Sequence, residues 1–535
     1  MRRRGFLKGL AAALAAAPTL PAVARIAGEH LDALARDLRA TADEPAFWGR
    51  VQREFSLREG LLHFNNGSIG PTPVCIQAAH KAYLDLLETD PYDYTWSGLP
   101  DHPLAQVQEQ AAAFLNAGTD EVFLTRNTTE GMNLIATGMR LEPGDEVLTT
   151  DHEHPGGVWC WLHMAHLHGT RVRQVHLPTP APSKADLVAR IEAGITPRTR
   201  VVSISHVNTT TGLRMPVAEI AALAHARGIL LVCDGAQAPG MLAVDVKELQ
   251  VDAYASSSHK WLLAPKGSGL LYVRREAQDR IKPVSVYAGS GGGSYYAPYT
   301  AGSGTRNTPA LLAHGLTLRF HELLGKERVQ ARALALNRYL RARLAPIAAL
   351  APVTPEDPEL CSAMVSYQVQ TMPVEALYQA LHERGILIKR TAYNSVLADN
   401  AIPRENVAII RLSTHVYNSE EQIDRLAAAL AEILGTDTAV LAPQAAVPQR
   451  VALDPTYPNP FNASATIRYR LPAAQRVQVA VLNAQGQVVD VLADGWQAAG
   501  EHALSWSAAH RATGPYYCRL IAGADQQVRK MLLLR

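Results

Sequence analysis

Cysteine is scarce and placed for neither metal nor framework chemistry: Cys75, Cys160, Cys233, Cys361 and Cys518 are odd in number, widely scattered, and form no C-x-x-C pair or zinc-type Cys/His spacing. They read as mostly buried small hydrophobes, with a disulfide permitted only by the oxidising destination argued below. An excess of either charge is also missing. Lys plus Arg number 51 against 49 Asp plus Glu, so there is no basic surface of the kind that nucleic acid or anionic membrane selects. A small molecule is the expected partner. Beyond the N-terminus no segment is apolar enough for a transmembrane helix, and no G-x-S-x-G elbow supports a serine hydrolase. What the chain does have is length: 535 residues with 47% hydrophobic content suffice for two or three packed domains.

Residues 1–24 combine a basic head, a run rich in alanine and leucine from Leu7 to Ala17, and the small-residue segment Ala22-Val23-Ala24, which together read as a removable export signal. Its head, Arg3-Arg4-Gly5-Phe6-Leu7-Lys8, resembles the twin-arginine signal that exports folded, often cofactor-loaded proteins. The expected location is the periplasm, cell surface or medium. Residues 25–60 read as a helical segment. A large domain is expected over 61–309; from about Leu61 to Arg275 short β-rich runs alternate with amphipathic stretches, the pattern of a parallel sheet wrapped by helices. Strands are expected at Glu121–Thr125, Glu146–Thr149, Val201–Ser205, Ile229–Cys233, Ala253–Ser256 and Gly269–Val273. The stretch from Ser285 to Pro309, rich in Gly, Ser and Tyr, reads as a long functional loop. A smaller α+β domain is expected over 310–435, with strands at Ser362–Gln370 and Ala408–Leu412 and a helix from near Ser419. A linker over 436–452 then leads to a small β-sandwich over 453–535, with strands at Thr466–Tyr469, Val477–Leu482 and Tyr516–Ile521 and with Trp506 and Tyr517 in its core.

Two residues fall where open α/β sheets place their ligand crevice, at the carboxyl ends of strands. Asp234 closes Leu231-Val232-Cys233-Asp234, and Lys260 follows a strand in Ser256-Ser257-Ser258-His259-Lys260-Trp261. A lysine that forms an imine must be held out of bulk water beside the aldehyde, and a pyridoxal 5'-phosphate (PLP) ring needs a carboxylate to keep its nitrogen protonated. Taken singly, a strand-end Asp is often a turn or cap and a Lys a solvated group; the combination is specific. Leu124-Thr125-Arg126-Asn127-Thr128-Thr129-Glu130-Gly131 runs from strand into helix, so its free amides can cradle a phosphate or simply be capped. Ser257 and His259, two residues apart on an extended strand end, would face one side. Arg411, in Val407-Ala408-Ile409-Ile410-Arg411-Leu412-Ser413, can grip a carboxylate with two parallel hydrogen bonds or form a structural salt bridge. His152, His154, His163, His166 and His168 invite a metal reading, but no cysteine or carboxylate completes a set, and no metal is expected.

Val232–Gln237 and Ser256–Gly269 resemble the class V aminotransferase superfamily of fold-type I PLP enzymes, over about residues 60–435. The resemblance implies an α/β fold with a mainly parallel seven-stranded sheet wrapped by helices, a smaller α+β domain and, here, a C-terminal β-sandwich. It implies that Lys260 carries PLP, Asp234 pairs with the ring nitrogen, and Gln237 bonds the phenolic oxygen. It further makes Thr128, Thr129, Ser257 and His259 phosphate ligands, stacks His154 on the ring's outer face, puts Asn208 near the phenolic oxygen and substrate, and gives Arg411 the α-carboxylate. Gly304-Thr305-Arg306-Asn307 is similar to a segment that reaches the partner subunit's phosphate, implying a homodimer with shared active sites in which Thr305 binds cofactor.

Cysteine desulfurases of this superfamily carry an active cysteine in the small-domain loop, and the matching Lys389-Arg390-Thr391-Ala392-Tyr393-Asn394-Ser395 has none. A persulfide mechanism needs a thiolate, so direct elimination by Lys260 chemistry survives and conventional desulfuration does not. Leu62-His63-Phe64-Asn65-Asn66-Gly67-Ser68-Ile69-Gly70-Pro71, Asp151-His152-Glu153 and Gly304-Thr305-Arg306 most resemble the isopenicillin N epimerase-like branch. The expected reaction is therefore epimerisation or C–S/β-elimination of an amino acid, with an aminotransferase, or a non-catalytic surface binding protein on this scaffold, as alternatives. Tyr457-Pro458-Asn459-Pro460-Phe461-Asn462 and the closing Lys530-Met531-Leu532-Leu533-Leu534-Arg535 look like an immunoglobulin-like C-terminal secretion and sorting domain related to hook-capping folds. Export and sorting machinery are its implied partners.

Overall fold

The computed structural model describes residues 20–41, 43–92, 103–284, 299, 304–392, 408–436, 451–472, 475–497, 500–523 and 525–534. The twin-arginine head, most of the Gly/Ser/Tyr-rich stretch, Tyr393-Asn394-Ser395 and nearly all of the expected linker lie outside them. The chain divides into two compact units, Met1–Leu441 and Ala442–Arg535. No helix among the described residues is long and apolar enough to cross a membrane.

Helices Leu20–Arg39 and Glu44–Gln52 open the first unit. Val23, Ala27, Leu31, Leu34 and Leu38 recur at helical spacing on the first and are all buried. Val23, at the centre of the expected cleavage segment, thus belongs to a packed helix.

After a short strand β1 (Leu62–His63), seven strands follow: β2 (Val122–Thr125), β3 (Glu146–Thr150), β4 (Arg171–Val175), β5 (Thr199–Ser205), β6 (Leu230–Asp234), β7 (Ala253–Ser257) and β8 (Gly269–Val273). They form one sheet in the order β2-β8-β7-β6-β5-β3-β4. Neighbours from β7 to β4 are parallel, and β8 runs against both β2 and β7. The sheet is thus mainly parallel and seven-stranded, as the resemblance implies. Its central strands are buried on both faces and read as continuous apolar runs. Strand β4 was not anticipated from sequence, because Arg171 and Arg173 interrupt its apolar pattern; it is a half-exposed edge, where charge is the usual guard against further pairing.

The smaller sheet, β12-β13-β10-β9, is antiparallel and built from β9 (Leu350–Pro352), β10 (Met364–Val369), β12 (Lys389–Ala392) and β13 (Ala408–Ser413), while β11 (Ile386–Leu387) pairs in parallel with β1. The cores do not divide at residue 310. Helix Thr308–Leu324 packs into the large core, and Leu62 and Phe64 pack with Ile410 and Leu412 in the small one. The changeover lies inside helix Lys326–Leu344, where Ala333 faces the large core and Leu336 the small. An amphipathic helix shared by two cores shows one uninterrupted sequence pattern, which hides the division. Ser419 is the N-cap of helix Glu420–Ile433, its Oγ accepting from Gln422 N at 3.2 Å.

The second unit packs β14 (Ala452–Leu453), β15 (Ser464–Leu471) and β18 (Gly500–Ser507) in one sheet. The other sheet holds β16 (Gln475–Leu482), β17 (Val488–Gln497), β19 (Gly514–Ala522) and β20 (Asp525–Leu533). Val451 and Leu453 are core residues, so the sandwich begins inside the expected linker. Trp506 is buried as expected, but Tyr516, Cys518 and Leu520 take the inner face of β19 and Tyr517 does not. A period of two puts one of two adjacent tyrosines inside, and the following Cys518 and Leu520 decide which.

Candidate active site

All large-sheet strands except β8 run one way, so Thr125, Thr150, Ser205, Asp234 and Ser257 end along one edge. The segments leaving that edge bring together Thr128 and Thr129, His154, Asn208, Asp234 and Gln237, and Ser257 to Lys260. Asp234 is buried, and its Oδ1 accepts from Ala236 N at 2.9 Å. Its Oδ2 faces the start of helix Pro155–His168, where a Cβ on Gly157 would stand 2.7 Å away. Lys260 sits in a tight turn, its amide donating to Ser257 O at 3.3 Å. Gly70 packs against that turn so closely that a Cβ there would lie 2.3 Å from Lys260 O. Among the described residues nothing bonds Lys260 Nζ.

Burial dominates the electrostatics. It lowers the Lys260 amine to about 8, against the attraction of Asp234 and assisted by the repulsion of Arg411. It raises the Asp234 carboxyl, against the Ala236 amide and the fields of Lys260 and His154. Both groups shift toward neutrality, so desolvation outweighs their attraction.

His154 caps helix Pro155–His168, its Nδ1 accepting from Gly156 N at 3.0 Å, which leaves the ring proton on Nε2. The ring is exposed on its other side. Beneath it Glu153 turns into the protein and accepts from Thr150 Oγ1 at 2.6 Å and from Ser205 Oγ; burial pushes its carboxyl up to about 7. Glu153 thereby anchors the loop that presents His154. His163, His166 and His168 are exposed, and among the described residues the grouping that could hold a metal ion is elsewhere, at His30, Glu54 and Cys75.

Helix Thr128–Gly138 starts at the N-cap Asn127, and its first amide, Thr128 N, donates to Ser257 Oγ at 2.9 Å. The Thr128 and Ser257 hydroxyls are 2.8 Å apart, and a Cβ on Gly156 would fall 2.6 Å from Thr129 Oγ1. His259 corrects the expectation of an extended strand end. Strand β7 stops at Ser257 because the Lys260 amide folds back on Ser257 O, placing His259 in a turn. Its Nδ1 is buried without a partner, and burial lowers the imidazole to about 4. Thr305 is exposed and lines, with Arg126, Asn127 and Thr129, a cavity of about 1000 Å³ beside this helix.

Gln237 Nε2 donates to Gly67 O at 2.9 Å and Thr209 Oγ1 at 3.0 Å, while Trp261 Nε1 donates to Gln237 Oε1 at 2.7 Å. The indole fixes which way the amide points. Arg411 is fully enclosed in β13: Nη1 donates to Thr209 O at 2.7 Å and Thr209 Oγ1 at 3.0 Å, and Nη2 to Asn65 Oδ1 and Ser68 Oγ, both at 3.1 Å. None of these oxygens is a carboxylate, and burial lowers the guanidinium to about 10. The salt-bridge alternative for Arg411 is therefore not realised among the described residues. Thr209, Asn65 and Ser68 were not singled out as site residues; the signals were the quoted segment Leu62–Pro71 for Asn65 and Ser68 and, for Thr209, its place next to Asn208. All five cysteines are free, and none lines the cleft: four are buried, and Cys361 Sγ donates to Pro355 O at 3.1 Å.

The residues present fit a PLP molecule. Asn208 is wholly buried with both amide atoms unpartnered, Asp234 Oδ2 and Lys260 Nζ are open, and Gly156 and Gly157 preserve space that side chains would fill.

Comparison with known proteins agrees. The family model described as aminotransferase class-V matches residues 74–426, and that of the secretion system C-terminal sorting domain matches 455–534. The chain is 32% identical over 404 residues to isopenicillin N epimerase of Streptomyces clavuligerus, covering 73% of this chain and 99% of that one. It is 26% identical over 398 residues to a probable cysteine desulfurase of Methanothermobacter thermautotrophicus, covering 72% and 98%. A C-DES mutant with glycine covalently linked to its PLP cofactor superposes with a TM-score of 0.63 at 25% identity, covering 73% of this chain and 100% of that one. The chain therefore belongs to the class-V aminotransferase family, is a PLP-dependent enzyme, and carries a secretion sorting domain over residues 455–534.

Proposed function

We propose that this enzyme epimerises an amino acid or eliminates its β-substituent, C–S cleavage included, with Lys260 as the proton-transfer base. The observation that carries the reading is the pairing of a free, desolvated Lys260 Nζ with a cleft that holds no thiol. PLP, when bound, supplies the electron sink that makes a bond at the substrate α-carbon breakable. Asp234 Oδ2 would hold the proton at the ring nitrogen, and His154 would pack against the ring. Thr128, Thr129, Ser257, His259 and Thr305 would hold the phosphate, and Asn208 and Gln237 would serve the phenolic oxygen. Arg411 would bind the α-carboxylate and so orient the substrate. Lys260 Nζ then removes the α-proton: a proton returned on the opposite face gives the epimer, and departure of the β-group gives elimination.

The kinship with isopenicillin N epimerases supports the first outcome, and the desulfurase relatives support cleavage at sulfur. The cavity that Thr305 shares with Thr129 supports a homodimer with shared sites, and the twin-arginine head and sorting domain support export of the folded holoenzyme. Incubation of the holoenzyme with L- and D-amino acids in deuterium oxide tests the chemistry. Deuterium at the α-carbon with inverted configuration, or release of a β-group, is expected, and both disappear in Lys260→Ala together with the cofactor's visible absorption. A keto acid formed in step with an aminated acceptor, without epimer or elimination product, would replace this reading by an aminotransferase.

A further inference from the structure

A second cation stands beside Arg411. Lys389 of β12 and Arg411 of β13 are register partners in an antiparallel pair, so their side chains leave the same face of the sheet with Cβ atoms about 5 Å apart. Arg390, next along the strand, leaves by the other face, where it pairs with Glu375 and lies 5.4 Å from the centre of the Tyr378 ring. Lys389 has no such partner: among the described residues it makes no hydrogen bond or ion pair. It lines, with Asn65, Glu375, Tyr378 and Arg390, a cavity of about 720 Å³. Arg411 is enclosed and does not line it, but Asn65, one of its lining residues, accepts from Arg411 Nη2 through Oδ1 at 3.1 Å. Burial and the repulsion of Arg411 and Arg390 lower the Lys389 ammonium, and Lys389 in turn acts on His154. One carboxylate on Arg411 would neutralise only one of two neighbouring cations.

We propose that Lys389 binds a second carboxylate, on the substrate's side chain, so that the enzyme acts on amino acids bearing a side-chain acid. The proposal rests on Arg411 being the α-carboxylate site. Asn65, touching both the guanidinium and the cavity, marks where the substrate passes from one cation to the other.

The test is an equilibrium titration of the holoenzyme, followed by the cofactor's visible absorption. Both enantiomers of glutamate and 2-aminoadipate are compared with glutamine and norleucine, which lack the acid. The wild type should bind the acids about tenfold or more tightly, the worth of one charge-assisted hydrogen bond. Lys389→Met should lose that preference, and Lys389→Arg should keep most of it. Equal weakening of acids and neutral analogues in Lys389→Met would instead put Lys389 on the α-carboxylate and overturn the proposal, as would a wild type without preference. If Arg411→Gln leaves every amino acid bound as before, the reading of Arg411 fails and this one falls with it.

Discussion

The floor and the wall of the cleft hold their charges in opposite ways. On the floor, Asp234 and Lys260 are of opposite sign, and each partly offsets the cost of burying the other. On the wall, Arg411 and Lys389 are of like sign, and every hydrogen-bond acceptor around Arg411 is neutral. A floor compensated from within can persist while guests come and go, which suits a resident cofactor. A wall uncompensated from within attracts an anion that arrives and leaves, which suits a substrate carboxylate.

Breaking the floor should do the most harm. Asp234→Asn keeps the shape and the Ala236 contact but removes the carboxylate proposed to meet the ring nitrogen, so turnover should fall by about 10²–10³-fold. The substrate affinity should change far less, because Arg411 is untouched; steady-state kinetics with a separate binding titration would check the split. The wall should respond in reverse. Arg411→Lys retains a charge but cannot make the four bonds to Thr209, Asn65 and Ser68 that hold the planar guanidinium in place. An increase of roughly 10–100-fold in KM is expected, with a smaller change in kcat. If both variants lowered kcat alike, floor and wall would be one unit and the contrast would fail.

The floor was the more legible of the two in sequence. Asp234 and Lys260 follow buried strands whose apolar runs are unmistakable, and the parallel topology then carries their ends to one edge. The wall was legible only at Arg411. Its partners Asn65 and Ser68 come from a segment 343 or more residues away in the chain, and no local pattern announces a contact across that distance. Lys389 was quoted solely for the cysteine its loop lacks, since its facing of Arg411 is a matter of strand register. His259 was expected to be a phosphate ligand from a geometry, the extended strand end, that the turn at Ser257 replaces. Strand β4 and the shared helix Lys326–Leu344 were hidden for a related reason: charge on an edge strand and a helix serving two cores both blur the periodicity on which sequence reading depends.

The subtlest difference between floor and wall should appear in how pH governs capture of the cofactor. Only the neutral amine of Lys260 can attack the PLP aldehyde, and that amine is lowered to about 8. Capture by the cofactor-free protein should therefore quicken about fivefold from pH 7 to 8 and less than twofold beyond. The sign of each neighbour's influence then separates the two regions. Asp234 favours the ammonium, so Asp234→Asn should move the midpoint to lower pH; Arg411 disfavours it, so Arg411→Gln should move the midpoint up. Stopped-flow absorbance after mixing with PLP measures both shifts. Opposite displacements would show that floor and wall act on Lys260 with contrary fields, whereas no displacement in either variant would mean that burial alone, not the balance of charges, sets the amine.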